Sequence, residues 1–352
     1  MKAADSRDLW TQLLARGLVK GSIPDSSETE SPWYMRGMAA TSGSIAALFI
    51  LTALFMALSR VLEDNGGRIV IGLILESSAL FLFRSPQANG FRAQFALALS
   101  GAAQILLIWS LWSILEKYPT LLTLAIICLE LGLLFLVRNS IHRLASAFLA
   151  GGALFLLLNQ YHLNSLGAPL LLGTACWLWL NEIQRPERIQ VLQPLAWGLT
   201  LVALLALNWS EFNLWLHLYP RGHGDQHPLI VGLRILLTIG ISAGVLMRLY
   251  REAGIGPLSL FGLAALILLS LLSVIIPGVG FSLLLMLVAF ARGNRVLLFT
   301  GLAALLYHLS RYYYVLDLSL LHKSLLLMGC GLLLLGLHWW LRRTWTEART
   351  NS

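Results

Sequence analysis

Long runs of apolar residues, broken at short intervals by one or two basic residues, leave this chain little choice of solvent. Twelve such runs lie at about 37–59, 69–83, 93–115, 119–137, 144–159, 165–181, 190–208, 228–247, 256–276, 279–291, 296–310 and 319–341. With 57% of its residues hydrophobic and 12% charged, a water-soluble fold of this size would carry more apolar surface than its cores could hide. A bilayer accepts that surface, and within it only helices and closed barrels satisfy every backbone N–H and C=O. The lengths suit helices. The sequence therefore predicts an all-α, polytopic bundle of about twelve transmembrane helices.

The basic residues set an expected orientation. With the N-terminus in the cytoplasm, inner segments hold 18 Lys and Arg and outer segments hold 5, the latter being Arg60, Arg68, Lys117, Arg221 and Arg311. That asymmetry predicts a cytoplasmic N-terminus and a cytoplasmic C-terminus. Residues 34–343 form the expected transmembrane domain. Before it, 1–33 reads as a cytoplasmic amphipathic segment and linker, and after it 344–352 reads as a cytoplasmic tail. The amphipathic reading comes from Leu9, Trp10, Leu13, Leu14, Leu18 and Val19 recurring at helical spacing. No cleavable signal sequence is expected, because the opening residues are polar. Pairs of basic residues before each outward helix also suggest repeated helical hairpins in parallel orientation.

Composition excludes some functions. The formal net charge of +8 is spread in ones and twos between apolar runs, so no nucleic-acid partner is expected. Cys128, Cys176 and Cys330 all lie inside apolar runs and read as small hydrophobes. There is no phosphate-binding loop, no serine-hydrolase elbow and no HExxH zinc motif, and no cofactor is expected. Glu182, Glu187 and Glu252 read as isolated, solvated carboxylates.

Four ionisable residues fall inside the expected spans: Glu76, Glu130, Arg234 and Lys323. A charge at mid-bilayer costs on the order of 3 kcal/mol, so each needs water, a partner or a changed protonation state. Both glutamates sit at central depth, where structural pairing and a proton or ion pathway are the competing readings. Arg234 and Lys323 lie nearer the outer ends of their spans, where long side chains reach the headgroups. In the outer loop 209–227, His223 and His227 are four residues apart, but Gly222 and Gly224 argue against a metal-chelating helix. No metal site is expected there. Arg311, Tyr312, Tyr313, Tyr314 and Asp317 mark the outer face where a helix leaves the bilayer, and suit either an aromatic belt or a ligand-binding mouth.

Two stretches carry a resemblance. The motif SPWY, within "SPWYMRGMAATSGSIAALF", and the pattern YYY.LDLSLL.KS, within "LSRYYYVLDLSLLHKSLLL", resemble a bacterial membrane family known as domain of unknown function 4401. The likeness runs over nearly the whole chain. It implies a bacterial inner-membrane protein, and a hetero-complex with other membrane proteins, including a membrane-anchored protein named for a Gly-Asp-Tyr motif. It brings no catalytic residues. The leading expectation is thus a non-enzymatic subunit of a membrane complex. The alternatives are a transporter or channel using Glu76 and Glu130, or a membrane enzyme acting on a lipid-linked substrate.

Overall fold

A computed structural model describes residues 55–84, 90–182, 186–208, 228–252 and 260–315, with isolated positions before residue 55 and at Met328. Every regular element among them is helical. After a short turn, Ser59–Leu62, the helices are α1 (Asn65–Arg84), α2 (Gly90–Leu115), α3 (Pro119–Leu136), α4 (Ser140–Gln160), α5 (Asn164–Asn181), α6 (Ile189–Ala206), α7 (Pro228–Glu252), α8 (Leu260–Ile275), α9 (Pro277–Arg292) and α10 (Arg295–Val315). Each matches one expected span in order. The last expected span and the 1–20 segment lie largely outside the described residues, and the first expected span lies partly outside them.

Among the described residues six helices are long and apolar enough to cross a membrane: α1, residues 92–115 of α2, α3, α4, α6 and α7. By length and composition this is the architecture of a multi-pass membrane protein. Large apolar side chains such as Phe81, Phe135, Leu236 and Phe290 are exposed on these and neighbouring helices, as lipid-facing positions require.

Local chemistry sets the boundaries. Pro119 and Pro277 open α3 and α9 at positions where a missing N–H costs nothing. Asn139 caps α4, its side-chain oxygen accepting from the backbone N–H of Ile141 and His142. Gly293 ends α9 with φ of 64°, a left-handed conformation that glycine adopts without strain. Hydroxyls within the apolar helices donate to carbonyls three or four residues back, as Ser77 does to Leu73 and Ser282 to Gly278. That satisfies them without a partner helix.

The chain divides into two compact units, Met1–Ser110 and Leu111–Ser352. In the first, Leu75 and Ala79 of α1 pack on Leu99, Ala103 and Leu106 of α2. Gly72 permits this approach, because a Cβ there would sit 3.0 Å from Leu107. In the second, α5 is the central helix and packs against α4, α6, α7 and α9. Leu171, Leu172, Ala175, Cys176 and Trp179 of α5 are fully or almost fully buried, while Leu170, Thr174 and Trp177 form an exposed stripe, so most of this helix meets protein and one face does not. Trp179 donates to the Thr200 hydroxyl at 3.2 Å and meets Trp197 edge-on at 5.3 Å. Gly198 lets α6 close on α4: a Cβ there would lie 2.7 Å from that of Ala147 and 2.8 Å from the Leu144 carbonyl oxygen.

Two expectations are corrected. Arg68, read as an outer-turn residue, lies in the first turn of α1, because the helix begins at Asn65. It is buried, donates to the Asn65 side chain, and holds its guanidinium 4.6 Å from the Trp109 ring centroid. The aromatic face and the amide oxygen replace the water it loses. Glu252, read as isolated and solvated, is instead the hub of an ion-pair cluster at the end of α7.

Candidate functional site

Among the described residues, four groups of polar and charged side chains bear on function. In the first unit, Glu76 of α1 is buried and accepts a 2.8 Å hydrogen bond from the Ser100 hydroxyl of α2. In the second unit, Glu130 of α3 is wholly buried. Both carboxyls thus lie inside protein, away from the ends of their helices.

The third lies at the end of the second unit where α3, α5, α7 and α9 finish. There Arg143, buried at the start of α4, donates through Nε to the Leu134 carbonyl at 3.2 Å and through Nη1 to the Gln190 carbonyl at 3.0 Å. One guanidinium therefore ties α3, α4 and α6, using the carbonyls that helix ends leave open. Arg248 does the same for α5 and α7: its Nη2 reaches the Leu180 carbonyl at 3.0 Å and Asn181 Oδ1 at 2.9 Å, while Nε reaches Glu252 at 3.2 Å. Glu252 also takes two bonds from Arg292 Nη2 of α9, at 3.0 and 2.7 Å. Arg292 is 9% exposed and Glu252 is 34% exposed, so the pair is only partly screened. Just beyond α5, burial pushes the Glu182 carboxyl above the usual carboxylate range, against the pull of nearby Arg292.

The fourth lies at the opposite end of the same unit. A cleft of about 160 Å³ is lined by Asn164, Ser165, Ala168 and Pro169 at the start of α5, Ala206 and Leu207 at the end of α6, Arg234 and Thr238 of α7, Ser273 of α8, and Pro277 and Phe281 of α9. Arg234 is half-buried. Among the described residues it takes part in no hydrogen bond or ion pair. Of the charged residues singled out in the sequence, Arg234 lines this cleft.

At that end Arg311 of α10 donates to Asn208 Oδ1 at 3.0 Å, tying α10 to the end of α6. Tyr312 and Tyr314 are exposed, Tyr313 is half-buried, and the rings of Tyr313 and Tyr314 meet edge-on at 5.7 Å. All three stand within the last turns of α10 rather than beyond it. Asp317, Lys323, His223, His227 and Cys330 lie outside the described residues. Among those described, no group of three or more His, Cys, Asp or Glu side chains is close enough to hold a metal ion. Cys128 is exposed on α3 and Cys176 is buried in the core of α5.

Sequence reasoning missed the arginine ties and the cleft. One signal for the former was available, since Glu252 stands four residues after Arg248 on one helix face. Small polar residues scattered through apolar runs gave no comparable signal for the cleft.

The chain belongs to the family described as domain of unknown function (DUF4401), whose model matches residues 32–344. No match was found among curated proteins or among solved structures.

Proposed function

We propose that this family member is a multi-pass bacterial inner-membrane protein of about twelve spans, both termini cytoplasmic, serving as a non-enzymatic subunit of a membrane complex. The observation that carries the reading is how the buried polar groups are used. Arg143, Arg248, Arg292, Trp179 and Arg311 each bind another helix of the same chain, which is the economy of a rigid scaffold. The apolar faces left exposed on α1, α2, α7 and α9 are available to lipid and to partner helices. The membrane-anchored Gly-Asp-Tyr protein implied by the family resemblance is the first partner to seek. Affinity purification of the tagged chain in a mild detergent should recover a stoichiometric membrane partner. Recovery of the chain alone, at the mass of a monomer, counts against the proposal.

A transporter or channel is the second reading, favoured by the buried Glu76–Ser100 pair and the buried Glu130. An intramembrane carboxyl is a proton carrier in waiting. Glu76→Gln and Glu130→Gln should each abolish proton flux in proteoliposomes if that reading holds. Absence of flux in the unsubstituted protein disposes of it.

A further inference from the structure

We propose that the cleft around Arg234 is a binding site for a phosphate-bearing anion. A guanidinium standing in a mostly apolar helix needs a counter-charge or water, and Arg143, Arg248, Arg292 and Arg311 of the same unit each have a defined acceptor. Arg234 has none from the described residues, and it lines a cavity of about 160 Å³. That volume suits a phosphate group with part of its shell of donors.

The surrounding chemistry has one sign. Asn164 and Ser165 are the first two residues of α5, and Pro277 is the first of α9. Two helix N-termini therefore open onto the same space, and neither has a side-chain cap. Pro277 has no N–H, and the N–H groups of Leu166, Val279 and Gly280 bond the Leu163 and Ile276 carbonyls, so it is the positive ends of the two helix dipoles that favour negative charge here. The Ser165 hydroxyl is buried and takes part in no hydrogen bond, so a donor is held ready at the wall. Thr238 stands four residues after Arg234, on the same face of α7, and adds a second hydroxyl. Among the described residues that line the cleft there is no carboxylate. Arg234 lies about 9 Å along α7 from its first residue at 1.5 Å per residue. At that depth a lipid headgroup phosphate and a soluble phosphate are both within reach.

The test uses the full chain in dodecyl maltoside, a detergent without phosphate. Its thermal unfolding midpoint is followed in separate titrations with inorganic phosphate and with phosphatidylglycerol. The expected result is a saturable rise in midpoint with at least one of them. A response to phosphate identifies a soluble anion, and a response to phosphatidylglycerol alone identifies a lipid headgroup. Arg234→Gln should raise the half-saturating concentration about ten-fold or more, the worth of a charge-assisted hydrogen-bond set. Arg251→Gln, at the other end of α7, should leave it unchanged. If Arg234→Gln does not fold, Ser165→Ala decides, since it removes no existing hydrogen bond and should still weaken binding about three-fold or more. The proposal is overturned if the unsubstituted chain responds to neither compound. Half-saturation unmoved in the variants would overturn it equally.

Discussion

The two ends of the second unit use arginine differently. At one end Arg143, Arg248 and Arg292 are locked onto carbonyls, Asn181 and Glu252. At the other, Arg311 is tied to Asn208, but Arg234 faces a cleft and binds none of the described side chains or carbonyls. A guanidinium committed to its own protein has less to offer a ligand, and its removal is felt as lost stability. A guanidinium standing in a cavity offers its full fork of donors. The tied arginines hold the helices together; Arg234 is available for recognition.

Substitutions at both ends can break that contrast. Arg143→Met should cost the most, about 2–4 kcal/mol in unfolding from detergent, because the Leu134 and Gln190 carbonyls lose their donor. A cost below about 0.5 kcal/mol would mean that water replaces the guanidinium and the tie is dispensable. Glu252→Gln should cost about 1 kcal/mol, less at high salt, since the carboxylate is partly exposed. A cost independent of salt would show that packing, not charge, joins α7 to α9. In phosphate-free detergent Arg234→Gln should shift stability by no more than about 0.5 kcal/mol, because no bond within the described structure is lost. A loss as large as that of Arg143→Met would erase the distinction between the ends. Glu182→Gln should have the smallest effect and the opposite sign. Burial raises the carboxyl in the folded state, so the ionised form penalises folding above that raised value and the penalty disappears as pH falls below the ordinary carboxylate range. The variant should therefore be slightly more stable at neutral pH and indistinguishable from the parent in acid. Stabilisation that persists in acid would point to packing instead.

The helices were legible in the sequence because run length and basic punctuation act along the chain. Pro119, Pro277 and Gly293 stand where helices start and stop, and the Arg residues mark the turns. Which helix faces meet was not legible. In a soluble helix the polar face identifies the exterior, but here core and lipid are both apolar, so Phe290 outside and Phe281 inside look alike in sequence. Close approach depends instead on single small residues, such as Gly198 against Ala147. The ionic ties followed from those contacts. Arg143 and Gln190 are 47 residues apart in the chain, and no local pattern brings them together. Glu76 and Glu130 were visible as anomalies of charge; the hydroxyl that Ser100 extends to Glu76 was not.

α9 is 16 residues long, bounded by Ile276 and Gly293, and Ile276 alone separates it from α8. At 1.5 Å per residue it stands about 24 Å tall, against a hydrocarbon layer of about 30 Å. A helix that short does not reach both faces of an undistorted bilayer. Lipids beside it must pucker inward, or water must dip down to the reversal at Ile276. The dent would form next to Ser273 and Pro277, giving a solute from the aqueous side a shorter path than the membrane's nominal thickness implies.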